Sequence, residues 1–228
     1  MTSLPTAFAL AVRQLGDPAI LRVLFKSLAI TLALFALLGA ALGYGLGALA
    51  EAYGWYPFEG AAVLLSIIVI ALGAWLLFRF VALFVLQFFA DEVVAAVEAR
   101  HYPDAAHTAR ELPFREELGN GLKSGLRALL VNAIALPLAL VLVFTGVGTA
   151  LLFWAVNAFL LGRELQDMVW LRHRRDEAEL APMRGPKRFL LGGAIAGLLM
   201  VPFVNLLAPV IGAASATHLV HRGRAGRA

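Results

Sequence analysis

Four stretches of this chain carry no charged residue and no histidine: 27–50, 60–78, 128–162 and 189–217, which are 24, 19, 35 and 29 residues long. A helix crosses the hydrocarbon core of a bilayer in roughly 20 residues, so runs of this length predict an all-α integral membrane protein. The composition agrees: 61% of residues are hydrophobic and only 15% charged, far from the balance of a soluble domain. The chain has no cysteine, which excludes disulfides, thiolate metal sites and iron–sulfur clusters. The first run is longer than the apolar part of a signal peptide and begins only at residue 27, so a cleaved leader is not expected.

The run lengths also predict how the segments are laid out. Residues 27–50 and 60–78 fit single spans, within long helices at 23–50 and 60–98. A 35-residue helix would be about 52 Å long, too long for one span of a core of about 30 Å, yet 35 residues are too few for two spans and a turn. The stretch TGVGT (145–149) places two glycines where a turn is wanted, and Pro137 is expected to bend or break the first half. The 29-residue run divides similarly around Pro202, Asn205 and Pro209. Both 128–162 and 189–217 therefore read as re-entrant, hemi-penetrating helical hairpins; the alternative for each is one kinked span.

Charge placement tests this layout independently. All 19 Lys and Arg residues fall in the segments before residue 27, between 79 and 127, between 163 and 188, or after 218, and none falls in 51–59. That last loop instead holds Tyr53, Trp55 and Tyr56, rings suited to a membrane–water boundary. Two spans plus two returning hairpins put every cation on the cytoplasmic side and leave both termini there, as the positive-inside rule favours. Residues 1–228 are thus expected to form a single membrane domain. At its start, 3–16 should be an interfacial helix capped by Ser3, with Leu4, Phe8, Val12 and Leu15 as its apolar stripe. The second long helix should continue past Arg79, an anchor at the inner boundary, until Pro103 stops it.

A search for chemistry returns little. There is no HExxH, no GxSxG and no phosphate-binding glycine loop, and no enzyme activity, catalytic residue or cofactor is expected. His218 and His221 supply at most half a metal site, with no third ligand nearby in sequence, so no metal is expected. The RHRRD cluster (172–176) beside a membrane segment suits anionic lipid better than nucleic acid. Broken helices expose backbone polar groups at membrane depth, which is tolerated only inside protein or along a watery cavity. Asn132 and Asn205 are the hairpin amides placed to bond either a neighbouring helix or a solute.

The order of these elements resembles the CysZ sulfate permeases and their relatives in the etoposide-induced membrane-protein superfamily. The most specific likeness is Pro202-x-x-Asn205-x-x-x-Pro209 followed by Gly212-Ala213-Ala214, similar to the family's final hairpin. A second is Phe89, Asp91, Val97 and Glu98, although Ala90 replaces an asparagine and Ala95 stands where an acid is common. The resemblance implies an anion site at the family's Gly-Leu-Arg element. Here DPAILRVLFK (17–26) keeps Leu21 and Arg22 but lacks the glycine, and Lys26 lies one helical turn beyond Arg22. Arg22 and Lys26 then either hold a dianion together or only enforce orientation. What the family implies is a homo-oligomeric permease of the bacterial inner membrane carrying sulfate or sulfite for sulfur assimilation and cysteine biosynthesis, with Asn132, Pro202, Asn205 and Pro209 along the route. The alternative is a protein of the same fold with a structural or regulatory role and no solute.

Overall fold

The computed structural model describes residues 3–53, 73, 89–176, 179–201 and 204–225, and among these every regular element is helical. In chain order they are α1 (Leu4–Gln14), α2 (Pro18–Tyr53), α3 (89–101), α4 (Pro103–Thr108), α5 (Phe114–Leu142), α6 (Gly148–Trp170), α7 (Gly185–Leu199) and α8 (Ala208–Ala225). The chain divides into two compact units, Leu21–Phe89 on one side and Met1–Ile20 with Ala90–Ala228 on the other. The middle of the expected second long helix, and Arg79 and Pro202 with it, lies outside the described residues.

Helix α2, which from Leu21 onward belongs to the first of these units, begins earlier than expected, with Pro18 in the first turn where its missing N–H is no loss. At 36 residues it is about 54 Å long. Leu28, Ile30, Leu32, Leu34, Leu37 and Leu38 are exposed along it. The hydroxyls of the run turn back onto their own helix: Ser27 donates to Leu24 O and Thr31 to Ser27 O, each at 2.8 Å. Such back-bonding satisfies a polar group where no water is at hand.

In the larger unit α8 is central. Helices α1, α6 and α7 all pack against it, and Ala208, Val210, Ile211 and every residue from Ala213 to His221 are buried. The small residues Gly212, Ala213, Ala214, Ser215 and Ala216 explain this, because thin side chains let neighbouring helices approach without a hydrophobic driving force. Helix α1 is capped by Ser3, which accepts from Thr6 N, and it meets α8 through Ala7, Ala11 and Gln14, its buried residues. The larger stripe expected to matter is turned elsewhere: Leu4, Phe8 and Leu15 are half-buried and Val12 is exposed.

The first hairpin turns at the expected place. Thr145 Oγ1 donates to Leu142 O at 2.6 Å and accepts from Gly148 N at 2.9 Å, and Gly146 takes a positive φ of 70°, which a side chain would resist. Its arms, however, are not the short halves the sequence suggested. Helix α5 runs unbroken through Pro137 for 29 residues, and α6 has 23; both recruit charged flanking sequence beyond 128 and 162. Proline removes one hydrogen bond, and 28 other helical residues carry the segment past it. The region Phe114–Thr145 and the region Pro18–Gly45 are each long and apolar enough to cross a membrane.

The second hairpin is tighter. The break falls between Leu199 and Ala208, a short 3-10 turn at Val204–Leu206 leads into α8, and Pro209 sits in the first turn of that helix. Helices α6 and α7 approach each other closely. A Cβ added to Gly192 would lie 2.8 Å from Gly162 Cα, and one added to Gly193 would lie 2.7 Å from Trp154 Cζ2. Trp154 Nε1 donates to Gly193 O at 3.0 Å, and its ring meets Phe189 edge-on at 5.9 Å.

Candidate functional site

Two constellations stand out, one in each unit. In the first, Leu21, Arg22 and Lys26 occupy the second and third turns of α2, all three exposed. Arg22 and Lys26 share a face at i, i+4 spacing. Lys26 Nζ lies 4.9 Å from the centroid of the Phe89 ring, so one of the two cations is steered by an aromatic face. This is an accessible pair of positive charges, chemically able to meet an anion from solution or from the lipid surface.

The second constellation is buried and was not foreseen as a unit. Glu98 on α3 is fully buried, and His173, just beyond α6, and His221 on α8 close on it. Both imidazoles donate to the same carboxylate oxygen, His173 Nε2 to Glu98 Oε1 at 2.7 Å and His221 Nε2 to it at 2.9 Å. Burial by itself would raise the Glu98 carboxyl, but the two imidazole hydrogen bonds, helped by the charges of His173 and Arg172, lower it to about 2. Tyr102 stacks on His221 with centroids 4.7 Å apart, and His173 meets His221 edge-on at 4.9 Å.

Tyr102 extends the cluster to α1. Its hydroxyl is 2.8 Å from His218 Nδ1, and the Gln14 amide lies against His218 Nε2 at 2.9 Å. Burial first, then the nearby His101, Arg222 and His221, lowers His218 to about 4. The expectation that His218 and His221 have no further partner nearby holds along the sequence but not in space. His218 and His221 are one turn apart on the buried helix α8, and the missing partners come from positions 98 and 173.

The hairpin amides are placed differently from one another. Asn132 is exposed on α5 and donates to Ala128 O of its own helix at 2.8 Å. Asn205 is buried in the turn of the second hairpin, and Pro209 opens α8 behind it. Pro202 is among the residues not described. The RHRRD segment faces inward more than expected: His173 is buried, Arg174 pairs with Glu116 at 3.5 Å, and Arg172 O accepts from Arg110 N at 3.0 Å.

With this architecture in view, comparison with protein families gives one decisive match, to sulfate transporter CysZ/Etoposide-induced protein 2.4, over residues 7–209. The chain belongs to that family. CysZ-family membership makes it a sulfate-transporter-like membrane protein, with an anion as the implied substrate. The match takes in most of α1, all of α2 to α7, the Leu21–Lys26 element and the turn at Asn205, while most of α8, including His218 and His221, lies beyond it. No curated protein and no solved structure matches the chain.

Proposed function

We propose that this protein is a permease of the bacterial cytoplasmic membrane that lets an inorganic dianion, sulfate first and sulfite second, enter the cell for sulfur assimilation and cysteine biosynthesis. The observation that carries the reading is the length of the second hairpin. Its uncharged arms, 189–199 of α7 and 208–217 of α8, are about 16 Å and 15 Å long, half of a core of about 30 Å. A hairpin of that reach ends near mid-membrane. There the end of α7 and the start of α8 leave backbone groups that need protein or water, as in transporters that break helices at a solute path. Leu21, Arg22 and Lys26 form the cytoplasmic anion element, and the hairpins line the route. Both termini are cytoplasmic, α1 lies in the inner interface, and several copies assemble to cover the exposed sides of α2 and α5.

The energetics favour passive entry. Moving a dianion inward against 100 mV costs about 4.6 kcal/mol, a factor of roughly 10³ against accumulation. The four uncharged runs contain no acid, base or histidine to carry protons through the membrane. Cytoplasmic consumption of the anion therefore supplies the gradient. Purified protein in liposomes should show saturable sulfate flux with no fixed proton stoichiometry. Coupled proton uptake would overturn the passive mechanism, and absence of sulfate and sulfite flux from correctly inserted protein would leave the non-transporting role of the same fold.

A further inference from the structure

Glu98, His173 and His221 are brought from three distant chain segments to one point, and their ligand atoms all lie within 4.8 Å of one another. The three residues are buried together, whereas Arg22 and Lys26 are exposed, and nothing in anion recognition calls for the buried three. Glu98 Oε1 takes both imidazole contacts, whereas Glu98 Oε2 is buried with no hydrogen-bond partner among the described residues. A bare buried carboxylate oxygen needs an explanation, and a bound ion is one of the few available.

We propose that Glu98, His173 and His221 form a binding site for a divalent transition-metal ion, zinc in particular. Two imidazoles and one carboxylate are a ligand set that zinc accepts, with bonds of about 2.0–2.2 Å. Around a tetrahedral ion of that size neighbouring donors stand about 3.3 Å apart. The observed 2.7 Å and 2.9 Å separations open by about half an ångström when zinc replaces the two N–H hydrogens, and the imidazole nitrogens, which lie within 4.8 Å of each other, draw together towards the same spacing as the three side chains rotate. Each ring then carries its proton on Nδ1 and offers the Nε2 lone pair. Glu98 Oε2 is available to complete the coordination. Calcium and magnesium prefer all-oxygen sites, and the nitrogen donors select against them.

The site would act as a clamp. It ties α3, the segment after α6, and α8 to one another outside the uncharged runs, closing loops of many tens of residues whose ordering otherwise costs entropy. The inference does not depend on sulfate transport.

The test is metal content and metal-dependent stability of the full chain in detergent, purified without a polyhistidine tag. After chelator treatment, titration with zinc should saturate at one ion per chain and raise the thermal midpoint. Cobalt should give the visible absorption of a nitrogen- and oxygen-ligated site at the same stoichiometry. Glu98→Gln, His173→Asn and His221→Asn should each weaken zinc binding by more than the roughly 10–100-fold that loss of an outer hydrogen-bond partner costs. His107→Asn, at an exposed histidine on α4, should leave it unchanged. Wild-type protein that takes up neither zinc nor cobalt saturably would overturn the proposal whether or not the variants fold. So would one-to-one uptake that persists in all three folded ligand variants, which would place the ion elsewhere.

Discussion

Replacing Gly192 by alanine is the sharpest test of how the two hairpins are joined. The new methyl carbon would lie 2.8 Å from Gly162 Cα and still closer to the backbone of Ala158 and Gly162. Carbon atoms pack best at about 3.5–4.0 Å, so α6 and α7 must separate by about 1 Å. None of the obstructing atoms belongs to a side chain that can rotate away. Such a gap forfeits a quarter to a half of each dispersion contact along the seam, and overpacking of this kind costs about 1–3 kcal/mol. It also stretches the 3.0 Å bond from Trp154 Nε1 to Gly193 O past hydrogen-bonding range, adding about 1 kcal/mol. The expected loss is about 2–4 kcal/mol. The control is Gly121→Ala on α5, where an added Cβ meets nothing within 4 Å and helix propensity favours alanine by about 0.8–1 kcal/mol. The chain has no cysteine for a thiol dye, so unfolding is followed by far-ultraviolet circular dichroism during detergent denaturation. If Gly192→Ala unfolds at or above the midpoint of Gly121→Ala, the close α6–α7 seam is wrong.

Further outcomes follow from the charges. Arg22→Ala should weaken sulfate binding about ten- to hundredfold, the loss of a charge-assisted contact of about 1.5–3 kcal/mol, and Lys26→Ala should do less because an ammonium lacks the planar fork. Equilibrium binding at fixed ionic strength checks both, and unchanged affinity in inserted Arg22→Ala protein would reduce Arg22 to an anchor. For His218, the folded pKa of about 4 lies below the ordinary 6.5, so between these values the unfolded chain binds the extra proton. Its contribution is present above pH 6.5 and is lost as pH falls towards 4, by about 3 kcal/mol at 1.36 kcal/mol per pH unit. Denaturation midpoints across that window should slope less in His218→Asn, and an identical slope would remove His218 as the cause. Reporters fused within 100–125, within 163–188 and after Ala228 should all be cytoplasmic and one in 51–59 exported; an exported 163–188 segment would defeat the hairpin topology.

Much of the architecture was legible along the chain because its cause is local. Uncharged runs force helices wherever lipid is the solvent, and the break between Leu199 and Ala208, with Pro209 in the first turn beyond it, and the turn at Thr145–Gly148 follow from missing donors and glycine's tolerance of positive φ. The end of α3 before Pro103 is local in the same way. Where sequence reasoning erred, it weighed one residue against too short a context: Pro137 does not break α5, because the helix on either side holds the segment through it.

Which faces touch depended on the tertiary structure. The apolar stripe of α1 was readable, but its contact with α8 runs through Ala7, Ala11 and Gln14, since close helix approach in such a fold rewards small residues over large ones. The histidines show the same division most plainly. Their spacing at 218 and 221 marks one face of one helix, while Glu98 and His173 lie 123 and 48 residues away from His221 in the chain. Periodicity reports only neighbours within a helix. A cluster assembled by three separate segments leaves no mark on any one of them, so the sequence by itself determined the long apolar helices, and packing around α8 decided that these side chains meet.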